Sequence, residues 1–259
     1  MNERHQNRWQ HGGLAELLIT DAEVFEVVMP QIWALTCKAL QAVRFQWLEQ
    51  PDDANAARQD VVRRANLLQW RPNDSVVVLS TETVGADELV HLALHHRLFE
   101  TLGAAEDWHS WLLCEAVASA ADVWLLGAMV GSGQQADFVD LQAEVWSQCW
   151  LDAARPERSL HDAFERCASA PTEAMCELIE ELEGFVGSQR ASMAIATAAD
   201  QHLYALNKPW GPLLLHYQVD WWALVLRGHP EPCPTQAQRV QRVRDEIMAS
   251  ESPIEHVLR

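Results

Sequence analysis

Apolar positions recur at three- and four-residue spacing along most of this chain, the period of one face of a helix. Read this way, Leu14 to Met29 forms an amphipathic helix stopped by Pro30, and Gln31 to Glu49 an apolar, aromatic-rich helix ending before Pro51-Asp52-Asp53. Ala54 to Trp70 is a more charged helix that ends at Arg71-Pro72-Asn73-Asp74. Val84 to Leu102 stops at Gly103, a C-terminal cap signal. Asp107 to Val130 closes at Gly131-Ser132-Gly133, and Ala136 to Ala153 breaks at Arg155-Pro156. Ser159 to Ala168 is short, and Thr172 to Leu206 is one long helix or two, with Gly184 and Gly187 as weak points. A turn from Asn207 to Pro212 leads into the very apolar Leu213 to Arg227. A stiff Gly228–Pro234 connector then precedes a charged helix, Thr235 to Met248. Val76-Val77-Val78-Leu79 is the one strand-like run. With no second strand to pair with, it reads as an extended lead-in to the next helix. The expectation is an all-α fold: a single compact helical bundle of about eight to ten helices over residues 1–229. A Pro-rich connector and a peripheral C-terminal helix follow over residues 230–259.

Three positions violate the pattern in one helix. In ADELVHLALHHRLFETLG, Glu88, His91 and His95 fall in a sector roughly 60° wide that also holds Val84, Leu92, Leu98, Phe99 and Leu102. That apolar stripe should face the core, where a polar group without a partner costs several kcal/mol. Glu88-x-x-His91 places a carboxylate and an imidazole where both reach one ion, the spacing used in carboxylate-bridged iron bundles. The competing explanation is a set of buried groups satisfied by neighbouring hydrogen bonds.

Two other helices pose the same question. Glu115, Ser119 and Asp122 are the only polar side chains between Leu112 and Leu126, and they share a face. Either that stripe meets Glu88, His91 and His95, or it is the solvent strip of a mostly buried helix. His216, Asp220 and Arg227 share one stripe of the Leu213–Arg227 helix. A His and an Asp four apart can hold one metal, or the Asp can orient the imidazole. Glu180, Glu181 and Glu183 read in isolation as a solvated charge run.

Composition narrows the function classes. The 259 residues are 49% hydrophobic, enough for a sizeable core. Thirty-seven acidic residues against 19 basic give a net charge of −18, which argues against nucleic acid and anionic membranes as partners. The charge fits a cytoplasmic protein or one with a basic protein partner, and a homodimer is compatible with it. The N-terminal MNERHQNRWQHGG lacks the apolar core of a secretory signal. Six scattered cysteines without a C-x-x-C pair read as reduced thiols. Twelve tryptophans serve either core packing or an aromatic-lined cavity.

Taken together, Glu88-Leu-Val-His91-Leu-Ala-Leu-His95 running on to Leu102-Gly103, then Leu182-Glu183-Gly184, then His216-Tyr-Gln-Val-Asp220-Trp-Trp-Ala223, resemble the heme-oxygenase-like superfamily. That group contains TenA-like and PqqC-like proteins and helical non-heme diiron oxidases and oxygenases. The resemblance covers about half the chain. It implies Glu88, His91 or His95, Glu183, His216 and Asp220 as ligands to two iron ions, with dioxygen and a small organic molecule as substrates. Ala223 stands where the family's third motif often carries a second histidine, so one metal position is incomplete or Glu115 and Asp122 supply it. Arg227 is the candidate for a substrate carboxylate, in competition with neutralising Asp220 or capping the helix end. Asp87-Glu88-Leu-Val-His91 carries a weaker echo of the zinc peptidase motif H-E-x-x-H. The resulting expectation is a non-heme iron oxidase or oxygenase. The alternatives are an acidic, non-catalytic interaction protein without cofactor, or a cofactor-free enzyme of the same fold using Glu or His as general acid or base.

Overall fold

A computed structural model describes residues 9–48, 76–79, 81–103, 106–191, 208–217 and 219–259. The expected helix over Ala54 to Trp70 lies outside the described residues, as does the stretch 192–207. Among those described, the fold is all-α, with 11 α-helices and little strand. These are α1 (Ala22–Val28), α2 (Pro30–Leu40), α3 (Ala86–Thr101), α4 (Trp108–Ser132), α5 (Asp137–Asp152), α6 (Glu157–Ser169), α7 (Pro171–Ala191), α8 (Gly211–His216), α9 (Val219–Leu226), α10 (Pro234–Met248) and α11 (Pro253–Leu258).

Helix α4 is the axis of the bundle. Every residue from Ser110 to Ala121 is buried, and α3, α6 and α7 pack around it. Although α4 is long and apolar enough to cross a membrane, most of it is enclosed by the other helices. Ala116, Ala118, Ala120 and Ala121 are fully buried, and such small side chains let neighbouring helices approach closely. At Gly127 the α6 backbone comes closer than any side chain would allow, with the Cys167 carbonyl directly over the Cα. Both ends of α4 are capped by local chemistry. Asp107 accepts from the Ser110 N–H at 3.0 Å and from the Ser110 hydroxyl at 2.7 Å, and Gly133 takes the left-handed conformation (φ 69°) after the last turn.

The N-terminal third departs from the all-helical expectation. Leu14–Glu16 is a 3₁₀ turn, and five short strands are present: β1 (Trp9–Gly12), β2 (Leu18–Thr20), β3 (Arg44–Leu48), β4 (Val76–Val78) and β5 (Thr83–Gly85). The β1, β3 and β4 strands form one sheet in that order, β1 antiparallel and β4 parallel to β3. The β2 and β5 strands pair in parallel and aim the chain into α3. The run at Val76 therefore has a partner, and the helix expected to reach Glu49 ends at Leu40. Arg44-Phe-Gln-Trp-Leu alternates, with Phe45 and Trp47 buried while Arg44 is exposed. That two-residue period is hidden at the end of an apolar stretch.

Two long-range contacts hold helix ends. Asp21, itself left-handed (φ 60°), accepts from the N–H groups of Asp137 and Phe138 at 3.1 and 2.8 Å and so caps α5. Gln236 donates to the Leu102 carbonyl at the end of α3 at 3.0 Å. The chain beyond Pro230 lies against the bundle: Ile254 and Leu258 are buried where α11 meets α2 and α3, and Arg97 donates to the Leu258 carbonyl at 3.3 Å.

A buried carboxyl in α7 gives the fold a pH signature. Glu181, 7% exposed, accepts from the Trp210 N–H at 3.2 Å. Burial is the main cause that pushes its pKa up to about 7, with Lys208 opposing. A raised carboxyl pKa stabilises the fold below its unfolded value, and that stability is lost as pH rises through the folded value. The Glu181→Gln variant keeps an acceptor for Trp210 and has no charge to bury. Its melting temperature should match the parent at pH 4 and exceed it at pH 8 by several degrees, on the order of 2 kcal/mol. Equal melting curves at both pH values would refute this.

Candidate metal centre

Helices α3 and α4 follow each other across a short loop and run antiparallel, so their facing residues meet in rungs. Phe99 meets Trp111 edge-on with ring centroids 5.5 Å apart, His95 meets Glu115, and His91 meets Ala118. One turn separates His91 from His95 and Phe99 from His95, as the i, i+4 rule requires. Of the two readings of the Glu115 stripe, the solvent strip does not hold at Glu115: it is 0% exposed, and its Oε2 lies 3.6 Å from His95 Nε2.

The middle rungs place three metal-ligating groups together. His91 Nε2 and His95 Nε2 lie 3.2 Å apart, and Glu115 Oε2 is 3.6 Å from His95 Nε2. One nitrogen or oxygen atom from each residue lies within 4.8 Å of the other two. Among the described residues, no other group of three His, Cys, Asp or Glu side chains converges in this way. Two ligands about 2.1 Å from one ion at a tetrahedral angle are about 3.4 Å apart, and the two observed separations bracket that value. Both Glu115 carboxyl oxygens are buried without a hydrogen-bond partner, an arrangement costly in an apolar interior. The donor set and the orphaned oxygens together fit a divalent transition metal.

The electrostatics agree. Burial, with the neighbouring His95 second, lowers the His91 pKa to about 3, so the ring is neutral at physiological pH and keeps a lone pair for a metal. A hydrogen bond to the Ala118 backbone holds that ring in place. Cys114, next to Glu115, is buried, and its thiol is held far above the ordinary range, so it supplies no thiolate.

The other expected ligands stand elsewhere. Glu88 is exposed in the first turn of α3, where its carboxylate accepts from the Gly85 N–H at 3.4 Å and caps the helix. Glu183 accepts from Arg244 Nε at 2.7 Å, pairing α7 with α10. His216 is exposed at the end of α8, beside a surface cleft lined by Cys149, Asp152 and Leu215. Asp220 stands in α9, and its side chain lies outside the described residues. Arg227 donates to the Gln189 carbonyl at 2.9 Å. Asp122 lies two turns along α4 from Glu115, 3.3 Å from the Tyr217 hydroxyl. The Leu213–Arg227 helix is interrupted at Tyr217. Tyr217 carried no sequence signal beyond its place between His216 and Asp220.

No family model, no curated protein and no solved structure matches this chain.

Proposed function

We propose that His91, His95 and Glu115 bind one divalent transition-metal ion, and that the protein is a non-heme iron oxidoreductase acting on a small organic substrate. The observation that carries this reading is Glu115, fully buried, with neither oxygen hydrogen-bonded and two imidazoles beside it. Two histidines and one carboxylate form a donor set found in non-heme ferrous enzymes and in catalytic zinc sites. Ferrous iron held there would supply dioxygen activation, whereas zinc would supply Lewis-acid chemistry. A single ion is proposed because Glu183 and His216, expected to complete a pair of ions, are positioned away from the triad.

The protein's own residues do the following. His91 presents a neutral ring, steadied by Ala118. Glu115 supplies carboxyl oxygens in a site closed to water on its own side, since it and His95 are 0% and 5% exposed. The Phe99–Trp111 pair closes the rung beyond them. His91 is the partly exposed member and marks the side from which ligands enter.

The test is an anaerobic titration with ferrous iron, and separately with zinc, followed by oxygen-electrode measurements. The expected result is about one ion per chain, uptake lost in His95→Ala, and oxygen consumption by the ferrous form alone. Zinc uptake with no ferrous uptake would replace the redox reading with a hydrolytic one. No uptake of either metal would favour the acidic interaction protein, whose support is the charge of −18.

A further inference from the structure

Helix α5 turns an acidic face carrying two leucines to solvent. At about 100° per residue, Asp137, Asp140, Leu141, Glu144, Leu151 and Asp152 fall within a sector about 120° wide, and all of them are exposed. The buried Phe138, Trp146 and Trp150 take the other side. Leu141 is 52% and Leu151 71% exposed, and at a rise of about 1.5 Å per residue they lie about 15 Å apart along the axis. Beside this face, α5 and α8 line a cleft of about 330 Å³. Val145, Cys149 and Leu215 are its less exposed lining, and Gln148, Asp152 and His216 its exposed lining.

The charge on this face is uncompensated. No Lys, Arg or His occurs from Gly131 to Ala154. Among the described residues, none of Asp137, Asp140, Glu144 and Asp152 forms an ion pair. Acids of other helices have an arginine beside them: Glu100 pairs with Arg97, Glu183 with Arg244, Glu246 with Arg242 and Glu255 with Arg259.

This combination selects the occupant. Four carboxylates repel any polyanion, which sets aside nucleic acid and anionic membranes. A second copy docking by the same face across a twofold axis would set these carboxylates against their own images. A cationic partner is complementary in charge, and it needs apolar side chains to cover the leucines and enter the cleft. An amphipathic helix supplies both, since its residues at i, i+3, i+4 and i+7 anchor along one line.

We propose that the exposed face of α5 and the cleft beside α8 form a docking site for a basic amphipathic helix of a partner protein. Leu141, Leu151 and the cleft take its apolar side chains, and the four carboxylates take its Lys and Arg residues. The site shares no residue with His91, His95 and Glu115, so the inference does not rest on the metal reading.

The experiment is fluorescence anisotropy of a labelled leucine–lysine peptide of about 18 residues, long enough to hold an amphipathic helix, titrated with the full chain. The parent should bind it at least about tenfold more tightly than a scrambled peptide of the same composition, and less tightly as salt screens the carboxylates. The deciding variant is Leu141→Asp with Leu151→Asp. It makes the face more acidic, so attraction by charge alone gives equal or tighter binding, whereas docking gives a loss of about tenfold or more. Asp140→Lys with Glu144→Lys should lose a similar factor. Glu180→Lys with Glu251→Lys makes the same charge change at exposed acids of other segments and should stay within about twofold of the parent. Every altered side chain is exposed, so circular dichroism should show parental helix content in each variant. A double-aspartate variant that binds as the parent does overturns the site. So does a Glu180→Lys with Glu251→Lys protein weakened as much as Asp140→Lys with Glu144→Lys, or a parent that does not distinguish the two peptides. A parent that sediments as a dimer and becomes a monomer on the leucine replacement assigns the face to a second copy and also overturns the proposal.

Discussion

Replacing Glu115 with leucine is expected to raise the melting temperature of the metal-free protein and to erase its response to added metal. Glu115 is 0% exposed, and neither carboxyl oxygen has a hydrogen-bond partner. Such a group loses its hydration on folding and, with His95 Nε2 at 3.6 Å as its nearest partner, recovers little of it unless a ligand arrives. Replacing a buried polar group that lacks a hydrogen-bond partner with an apolar one of similar volume removes a desolvation cost of about 1–3 kcal/mol, or roughly 3–10 °C for a chain of this size. In the parent, metal at a hundredfold excess over its dissociation constant adds about 2.7 kcal/mol. The two effects have opposite signs, so the ranking of variant and parent should narrow or reverse when metal is added. Differential scanning calorimetry with chelator and then with ferrous iron or zinc reads both. A Glu115→Leu protein that melts several degrees below the parent in chelator would show that the carboxyl is a structural partner, and the metal reading would fall.

Gly127→Ala is expected to destabilise the fold by about 3 kcal/mol or more, lowering the melting temperature by roughly 6–12 °C. Two effects compete. Alanine in mid-helix is favoured over glycine by about 1 kcal/mol. Against this, a Cβ at position 127 would overlap the Cys167 carbonyl oxygen and stand 2.9 Å from both the Cys167 carbonyl carbon and Pro171 Cβ. Those are backbone and ring atoms at the junction of α6 and α7, with no flexible end to swing aside, and Cys167 Sγ is also tied to the Val123 carbonyl at 2.6 Å. The clash therefore outweighs the propensity. Because Gly127 lies more than three turns from Glu115, metal stoichiometry at low temperature should be unchanged. Thermal and urea unfolding check the size of the effect, and a variant as stable as the parent would refute the close approach of α6 to α4 at Gly127.

The inward-facing histidines illustrate what could be read in advance. His91 and His95 sit among leucines at helical spacing, and an imidazole in such a stripe signals a partner inside. Glu88 carried the same signal and resolved differently: it belongs to the first turn, where a carboxylate is drawn to the unsatisfied N–H groups of the helix start. Glu183 is a candidate through resemblance alone and is engaged by Arg244, while His216, a candidate also from the stripe it shares with Asp220 and Arg227, is exposed. For Glu115 two environments remained open, because a polar stripe on an apolar helix has the same spacing whether it faces water or another polar stripe.

The helices α3 to α7 and α10, the local caps of α4 and the all-α class were determined by the sequence alone, because helical hydrogen bonds and such caps join residues within four positions of each other. Tertiary structure decided what lies across the gaps. The β3–β4 pairing joins Arg44 to Val76, and Asp21 caps a helix that begins at Asp137. The cluster of His91, His95 and Glu115 depends on the antiparallel register of α3 against α4, which sets His95 opposite Glu115 and Phe99 opposite Trp111. That register follows from packing of side chains on both helices and on the helices around them. A slip of a single turn would leave the same residues on the same faces with no centre between them.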